Sequence, residues 1–529
     1  MIFNVGDLKN RKATYAVQIS FYRQATNDFM NKVILFNPKS ANAKYRIPNS
    51  IMNIAASIEG KYDWVIVDGN CEKDPYAAMA NYLATGEYRY IGFTVMPGPQ
   101  LQQAVPIAKR IKQEFPLTTM IWGGYFPTNQ FKVVLESGYV DFVINGPGDH
   151  AFPSLIDALE NNTPYELIKN LIYRTSDGKI IKTGKQDLIE QDTLPPLPYD
   201  KLNTMYPIPK YLGKTYLGNK TLAYHSSIGC PFTCSFCAVV PTYEARWKAK
   251  SAQHVYNDVK YIKDKWGADA IEFHDNNFFV SEKRTVEFAK LIKPEKMSWW
   301  GMARIDTMDK FSDESLALIR EAGCKIIFFG AESGNDRILK QLDKGGTQSG
   351  AQIAAFAKRL KKFDIIPEYS FVLGTPAPTP EEVMEQIDFD ISYIRKIKAI
   401  NPKTEIILYT YSPVPTEGSE LFEQVIAAGF AFPKTLEDWV SPHWEKFDLR
   451  KNPLTPWLTP EMITKIRNFE TVLNGYYPTV SDIRLSSLKR KAVKLMSGLR
   501  YNTGIYKYPY EIKLLHRIWK YRQPEIQGF

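Results

Sequence analysis

The chain has 529 residues, of which 44% are hydrophobic and 23% are charged, and its formal net charge is +10. This length corresponds to roughly three to four domain-sized units, each able to bury an ordinary core. Five cysteines are too few for a disulfide scaffold, and no run approaches the ~18 apolar residues of a membrane-spanning helix. The first thirty residues lack the apolar core of a secretory signal, so we expect a cytoplasmic protein.

Short apolar runs alternate with helical patterns from Lys32 onward. The predicted strands cover 32–37, 63–68, 90–95, 118–124 and 141–146, with helices near 49–59, 75–84, 100–114, 129–137 and 150–160. Five βα units predict an α/β domain over 32–165, a doubly wound five-stranded parallel sheet, after an N-terminal extension over 1–31. Such sheets bind ligands beyond the carboxyl ends of their strands. Glycines and prolines at these ends, as in TVMPGPQ and GGYFPT, leave room for a large, flat or extended ligand.

A second βα series follows a predicted linker over 166–218, which is rich in Pro and Tyr. Its predicted strands cover 221–227, 268–275, 296–304, 324–333, 365–374 and 404–411, with helices near 251–265, 281–292, 312–322, 349–363 and 380–396. Six such units predict a partial (β/α)6 barrel over 219–414, whose chemistry would lie at the C-terminal strand ends. The remainder, 415–529, is predicted to be a helical cap.

Three of the five cysteines follow the first barrel strand with C-x3-C-x2-C spacing, at Cys230, Cys234 and Cys237. Thiolates bind soft metals and iron–sulfur clusters. Structural zinc usually has four ligands in paired form. Here no second pair follows, although His225 could complete a Cys3His site. A cubane cluster held by three thiolates would leave one iron open for a ligand on the catalytic face of the barrel.

This cysteine motif, with Phe236 before its third cysteine, resembles the signature of the radical S-adenosylmethionine (SAM) enzymes. The resemblance implies that the three cysteines bind a 4Fe–4S cluster, that its open iron binds SAM, and that Phe236 packs near the adenine. Strand ends that resemble the family's other SAM contacts contain Asn276, Arg304, Glu332 and Ser333. Each of these four residues could equally be an ion-paired residue of the barrel rim. Ile228 stands where related sequences often have an arginine.

The first domain resembles the cobalamin-binding domain that precedes a subset of these enzymes. The resemblance implies that Gly123 and Gly124 let the backbone approach the nucleotide tail of cobalamin. The residues implied to lie against the corrin are Thr94, Val95, Met96 and Gly98. Many such domains carry a cobalt-binding His in Asp-x-His-x-x-Gly after the first strand, but the loop Asn37–Arg46 contains no His. We therefore expect cobalamin without a His ligand from this loop, the alternative being an empty or repurposed domain.

Together these resemblances imply a cobalamin-dependent radical SAM methyltransferase. It would transfer a methyl group from methylcobalamin to an unactivated carbon of a large or lipophilic substrate, through a 5′-deoxyadenosyl radical, with flavodoxin or ferredoxin as electron donor. The C-terminal sequence YKYPYEIKLLHRIWKYRQPEIQGF resembles that of the branch with hopanoid methylases, bacteriochlorophyll-ring methylases and anaerobic magnesium-protoporphyrin cyclase. Oxidative ring formation or another non-methylating rearrangement is therefore the alternative, and a non-catalytic cobalamin or metal sensor is a third hypothesis. No catalytic side chain is assigned.

The positive charge of the chain is concentrated near its C-terminus. Between Arg484 and Arg522 lie eleven Lys or Arg and one acid, Glu511, so the rest of the chain is close to neutral. Tyrosines and a tryptophan are interspersed among these basic residues. The pattern is compatible with a solvated helical face or with peripheral contact at an acidic membrane, such as the inner membrane face. Nucleic-acid binding is disfavoured because no recognised binding motif accompanies the charge.

Overall fold

The computed structural model describes residues 31–40, 45–342, 348–412, 420–445, 454–478 and 485–519. The predicted N-terminal extension lies outside these residues except for Asn31, as do Arg484, Lys520 and Arg522 of the basic segment. Part of the loop Asn37–Arg46 is also outside them.

The N-terminal sheet begins with five parallel strands in the spatial order β2-β1-β3-β4-β5. These strands are β1 (Lys32–Asn37), β2 (Trp64–Asp68), β3 (Tyr88–Thr94), β4 (Thr119–Gly123) and β5 (Phe142–Ile144). The helices between them are α1 (Asn49–Ile58), α2 (Pro75–Ala84), α3 (Pro99–Glu114), α4 (Tyr125–Asn129), α5 (Phe131–Glu136) and α6 (Ala151–Glu160). Helices α1 and α6 cover one face of the sheet, and α2, α3 and α5 cover the other. This is the doubly wound arrangement that the alternating pattern predicts.

The prediction of five strands for this sheet was wrong, because the sheet has seven. Strands β6 (Leu171–Arg174) and β7 (Ile180–Lys182) form an antiparallel hairpin that extends it beyond β5. The hairpin lies within the range 166–218 that was predicted as a linker. It turns at Asp177-Gly178, where Gly178 has φ +88, and Asp-Gly between apolar runs is a hairpin signal. The predicted domain boundaries themselves stay predictions.

The second α/β region has six parallel β segments that follow one another in chain order. Its strands, with a hairpin after the first, are β8 (Thr221–Tyr224), β9 (Ser227–Gly229), β10 (Trp247–Ala249), β11 (Ala270–Phe273), β12 (Ser298–Trp300), β13 (Met302–Ala303), β14 (Ile326–Glu332), β15 (Ile366–Leu373) and β16 (Glu405–Thr410). Strand β12 pairs with β11, and β13 pairs with β14, on either side of Gly301. Strands β12 and β13 are therefore two parts of one barrel strand that is interrupted at Gly301. Counted in this way, the region has the six βα units that the sequence predicts.

Helices surround these strands and continue past them. The preceding segment and the barrel region contain α7 (Tyr199–Met205), α8 (Val239–Tyr243), α9 (Ala252–Trp266), α10 (Glu282–Ile292), α11 (Ile305–Met308), α12 (Asp313–Glu321), α13 (Asp336–Gln341), α14 (Gly350–Lys362) and α15 (Pro380–Ile400). The C-terminal part contains α16 (Glu420–Ala427), α17 (Leu436–Trp439), α18 (Pro442–Glu445), α19 (Pro460–Tyr476), α20 (Ser487–Thr503) and α21 (Tyr510–Trp519).

The C-terminal helices close one side of the barrel. Helix α19 packs against the edge strand β16 and against α15, while α20 and α21 pack on α19 and on each other. An edge strand exposes unpaired backbone groups, and covering it with a helix protects them. None of the helices within the described residues combines the length and apolar character needed to cross a bilayer.

Candidate functional site

The three cysteines lie on a loop, residues 230–246, that the antiparallel hairpin β9–β10 closes. Gly229 pairs with Trp247 at the end of this hairpin. It has φ +75, and a Cβ atom there would lie 2.1 Å from the carbonyl oxygen of Arg246. Only glycine fits both constraints. The glycine of the Gly-Cys-Pro sequence therefore fixes where the cysteine loop begins.

Both ends of this loop are fixed to the second barrel strand and to the helix that follows it. The Asp275 carboxylate, which is 1% exposed, accepts hydrogen bonds from the Ser226 backbone N–H at 2.6 Å and from the Ser227 hydroxyl at 2.7 Å. Arg284 donates from Nη2 to the Ser226 carbonyl oxygen at 3.2 Å and from Nε to the Lys250 carbonyl oxygen at 2.7 Å. These bonds hold the loop over the C-terminal ends of β8 and β11.

The three cysteines differ in their burial and in their neighbours. Cys234 is buried and accepts a hydrogen bond from Nη1 of Arg304 at 3.1 Å, while Cys230 and Cys237 are half-buried. The thiolate is the form of cysteine that binds metal. Among the described residues no group of three or more His, Cys, Asp or Glu side chains is arranged around a single ion. Three soft donors on one loop fit an iron–sulfur cluster, whose thiolate ligands bind separate irons.

Arg304 has partners that the sequence did not indicate. Its Nε and Nη2 atoms donate to the two carboxylate oxygens of Asp306 at 3.0 and 2.6 Å, and its guanidinium lies 4.0 Å from the centre of the Phe232 ring. Arg304 and Asp306 are only 6% and 3% exposed. The guanidinium thus joins a buried ion pair to Cys234, and its predicted contact with the SAM carboxylate stays a prediction.

The other residues predicted to contact SAM are at the C-terminal ends of the barrel strands or on the cysteine loop. Asn276 is exposed, and Phe236 is half-buried against the apolar cluster around Leu342. Glu332 is buried with φ +62, an uncommon conformation for a residue with a side chain. The hydroxyl of the buried Ser333 donates to Asp390 at 2.9 Å. These contacts with SAM stay predictions.

Burial raises the pKa of Asp390 to about 6, although its hydrogen bonds from the Gly334 backbone and the Ser333 hydroxyl lower it. Its hydrogen bonds from Ser333 and Gly334 anchor the turn that follows Glu332, the last residue of β14.

Asn277 is a candidate site residue that the sequence did not indicate, since the prediction named its neighbour Asn276. It is 1% exposed, and within the described residues neither Oδ1 nor Nδ2 of its side chain has a hydrogen-bond partner. Each unpaired buried polar group costs about 1–3 kcal/mol. An amide that bears this cost at the C-terminal end of β11 fits a ligand that supplies the missing bonds. The only sequence signal was the second Asn of HDNNF.

The barrel interior contains a polar layer below these strand ends. Glu272 of β11 pairs with Nη2 of Arg46 at 2.8 Å and with Nε2 of His274 at 3.3 Å. Nε1 of Trp300 donates to Glu368 of β15 at 3.1 Å. Arg46 comes from the first domain, at the end of the loop after β1. The first domain therefore supplies a charge to the barrel interior, which no local pattern in the sequence predicts.

The residues predicted to contact cobalamin meet at the C-terminal edge of the first sheet. The Val95 N–H donates to the Gly123 carbonyl oxygen at 2.9 Å. Gly124 has φ +94, and a Cβ atom there would lie 3.0 Å from Oγ1 of Thr94. The Met96 side chain is 45% exposed beside this turn, and Gly98 has φ +80. The close backbone approach and the exposed apolar side chain fit a large flat ligand, and the individual contacts stay predictions.

This sheet edge lies against the cysteine loop. Nζ of Lys185 donates to the carbonyl oxygens of Asn145, after β5, and Thr242, on α8, at 2.8 and 3.1 Å. Tyr125, the first residue of α4, has its pKa raised by burial and, to a smaller extent, by Cys237. Burial likewise raises the pKa of Asp149, which follows β5. The C-terminal edge of the first sheet and the cysteine loop thus border one shared region.

The structure places a cysteine-bearing loop at the mouth of a parallel α/β barrel and next to a doubly wound sheet. This arrangement defines a class of cofactor-dependent enzymes, and comparisons with known proteins identify that class. A model of the radical SAM superfamily matches residues 224–390, and a model of the B12 binding domain matches residues 42–156. The chain is therefore a B12-binding radical SAM enzyme. The predicted cofactors, a 4Fe–4S cluster, SAM and cobalamin, are those of this class.

Two relatives support the same assignment, and one solved structure shows the same fold. The chain is 28% identical over 376 residues to an uncharacterized methyltransferase of Pyrococcus horikoshii, a match that covers 68% of this chain and 79% of the relative. It is 26% identical over 302 residues to the anaerobic magnesium-protoporphyrin IX monomethyl ester cyclase of Synechocystis, covering 56% of this chain and 57% of the cyclase. The solved structure of the cobalamin-dependent SAM radical enzyme OxsB has the same fold, with a TM-score of 0.68 at 15% identity, covering 93% of this chain and 75% of OxsB.

Proposed function

We propose that this enzyme is a methyltransferase that attaches a methyl group to an unactivated carbon of a large or lipophilic substrate. The observation that carries the proposal is the contact between the sheet edge at Asn145 and the cysteine loop at Thr242, made through Lys185. A methyl carrier held at that edge would be adjacent to the source of the radical. The similarity to the methyltransferase of Pyrococcus horikoshii supports the same reaction class.

When bound, the three cofactors supply a reducing electron, a radical that removes a hydrogen atom, and a methyl group. The chain's own residues hold and orient these groups. Arg304 places a positive charge beside the Cys234 thiol, and the unpaired amide of Asn277 is available to a ligand at the end of β11. The predicted SAM contacts at Phe236, Asn276, Glu332 and Ser333, and the cobalamin contacts at Thr94, Val95, Met96, Gly98, Gly123 and Gly124, are part of this proposal.

The polar layer of the barrel interior would orient the substrate. Glu272, Arg46 and His274 form one connected group, and Trp300 with Glu368 forms another. A polar portion of the substrate could bind to this layer while a larger apolar portion extends toward the barrel mouth. A one-electron donor of the flavodoxin or ferredoxin type completes the proposal.

The similarity to the Synechocystis cyclase favours oxidative ring formation as a second candidate function. The two candidates differ in their products. Methylation consumes two SAM per turnover and yields S-adenosylhomocysteine and 5′-deoxyadenosine in equal amounts. Ring formation without methyl transfer yields no S-adenosylhomocysteine.

The test is anaerobic reconstitution of the full chain with iron, sulfide and cobalamin, followed by incubation with methyl-deuterated SAM, a reductant, and a lipid and pigment extract. Mass spectrometry then looks for a product that has gained a deuterated methyl group, and chromatography measures the two SAM-derived products. The Cys234→Ala variant, which lacks one cluster ligand, is the control and should cleave no SAM reductively.

Each outcome separates the candidates. Equal amounts of the two SAM products with a deuterated product support methylation. 5′-Deoxyadenosine without S-adenosylhomocysteine would refute methylation and favour ring formation. A protein that carries both cluster and cobalamin but cleaves no SAM would support the sensor hypothesis.

A further inference from the structure

Helix α20 has an exposed apolar face. Leu488, Leu495 and Leu499 are 77%, 79% and 72% exposed. Their spacing of seven and four residues places them on the same side of the helix. The opposite side is buried against α19, where Ser497 faces Gly475 and Tyr501 stacks on Tyr476 at 4.9 Å. The helix is therefore held firmly by one face and presents leucines to solvent with the other.

Helix α21 repeats this arrangement. Tyr510, Leu514 and Ile518 recur every four residues and are 66%, 57% and 61% exposed, whereas Ile512 is fully buried. The turn between the helices exposes two more apolar side chains, Ile505 and Tyr508. These eight residues, on α20, α21 and the turn between them, are called the C-terminal apolar face below. Isolated exposed leucines are ordinary, whereas these eight exposed apolar side chains between Leu488 and Ile518 favour an interaction site.

The turn that joins these helices is well anchored. Arg500 donates hydrogen bonds to the carbonyl oxygens of Lys507 at 2.8 Å and Tyr508 at 3.1 Å, and it also pairs with the Glu511 carboxylate. The apolar face is thus a formed surface before any partner binds.

Basic side chains surround this face. Residues 485–519 contain eight Lys or Arg and one acid, Glu511, and that acid is paired with Arg500. Exposed bases on the two helices include Lys489, Arg490, Lys491, Lys494, Lys513 and Arg517. The partner must therefore combine negative charge with an apolar phase.

An anionic lipid bilayer meets both requirements. A helix with leucines on one side and Lys or Arg beside them binds at the boundary between headgroups and acyl chains, and anionic lipids attract the bases. A second copy of the chain would bring two strongly basic surfaces together. Nucleic acid would satisfy the charge, but it would leave the leucines of α20 and α21 in water.

We infer that the C-terminal apolar face docks this enzyme on the surface of an anionic membrane without spanning it. The two helices pack on α19, which covers the edge strand β16, and none of the eight residues of the face belongs to the cysteine loop or to the edge of the first sheet. The inference does not depend on the proposed methyl transfer, because it concerns a separate surface.

The test is co-sedimentation of the full reconstituted protein with vesicles of phosphatidylcholine alone and with vesicles that also contain phosphatidylglycerol. We expect binding to the anionic vesicles, at least tenfold weaker binding to the neutral ones, and weakening by salt. The Leu495→Ser/Leu499→Ser double variant should lose at least tenfold in affinity. Its matched control is Leu117→Ser/Leu167→Ser, which changes two leucines that are 62% and 91% exposed elsewhere and should bind normally.

A second pair of variants tests the charge. Lys489→Gln/Lys491→Gln should weaken binding to anionic vesicles by several fold, whereas Lys358→Gln/Lys362→Gln, with the same change in charge on α14, should not. All the substituted side chains are exposed, so each variant should keep its melting temperature and its SAM cleavage in solution.

Several results would overturn the inference. One is that the protein does not sediment with anionic vesicles, and another is that the test and control variants lose the same vesicle affinity. The others are a dimer that Leu495→Ser/Leu499→Ser dissociates and a tighter binding to DNA than to vesicles. SAM cleavage by the same preparations, measured without vesicles, shows separately whether the proposed enzyme function holds.

Discussion

Replacement of Gly229 by alanine tests whether the hairpin β9–β10 builds the cluster site. An L-residue with φ near +75 costs about 1–2 kcal/mol. The added Cβ atom would lie 2.1 Å from the Arg246 carbonyl oxygen, so the hairpin must shift, and forced shifts of this kind cost about 1–3 kcal/mol. The combined cost is about 3 kcal/mol, which is about two orders of magnitude in the equilibrium constant for the closed loop.

The assay measures iron and acid-labile sulfide per chain after anaerobic reconstitution, and then the rate of cluster loss to a chelator. We expect Gly229→Ala to lose its cluster at least tenfold faster than the parent enzyme. Gly86→Ala is the matched control, since Gly86 has the same φ of +75 but no atom within 4 Å of the added Cβ.

The control should lose about 1 kcal/mol of unfolding free energy and retain its cluster normally. If Gly229→Ala holds its cluster as long as the control does, the hairpin does not position the cysteines and the geometric argument fails.

Three further predictions follow from buried polar groups. Arg304→Met should lower the free energy of unfolding of the cluster-free protein by about 3–5 kcal/mol, because the buried Asp306 carboxylate loses the guanidinium that pairs with it. Adding Asp306→Leu should recover much of this loss in denaturant titrations, and equal stability of the single and double variants would contradict the reasoning. Burial raises the pKa of Asp390 to about 6, whereas its pKa in the unfolded chain is ~3.9. The contribution of protonated Asp390 to the free energy of unfolding is therefore complete below pH ~4 and is lost as the pH rises through 6. In the parent enzyme the free energy of unfolding should therefore fall by about 3 kcal/mol over that pH range, and Asp390→Asn should abolish this fall. If the parent and the variant show the same dependence of unfolding free energy on pH, Asp390 does not titrate there. Asn277→Leu should raise the unfolding free energy of the cofactor-free protein by about 1 kcal/mol, because it removes unpaired buried groups. The same variant should weaken SAM binding to the cluster-loaded protein in equilibrium dialysis. Lower stability with unchanged SAM binding would assign Asn277 a purely structural role.

Much of the fold could be predicted from local pattern. The predicted strand 32–37 and helix 75–84 match β1 and α2 in both bounds, and the six barrel strands were each placed within a few residues. Buried parallel strands are continuous apolar runs and the helices between them are amphipathic, so periodicity and length distinguish the two. The hairpin β6–β7 was missed although Asp177-Gly178 lies between two apolar runs, because the Pro- and Tyr-rich range that contains it was predicted as a linker.

In the candidate site too, local features could be predicted from the sequence and contacts between distant elements could not. The cysteine spacing predicts the cluster ligands because all three cysteines lie within one short loop, and spacing within a loop is a property of the sequence. Asn277, Arg46 and the Arg304–Asp306–Cys234 contact depend on which side chains are buried together, and burial is decided by packing between distant elements.

The sequence by itself therefore determined the class of chemistry, through the cysteine motif and the two βα series. Only the tertiary structure decided that the sheet edge at Asn145 meets the cysteine loop at Thr242, and that Leu488, Leu495 and Leu499 face solvent. An amphipathic helix has the same periodicity whether its apolar face is covered or exposed, because its neighbours in space, and not its own sequence, decide which face is buried.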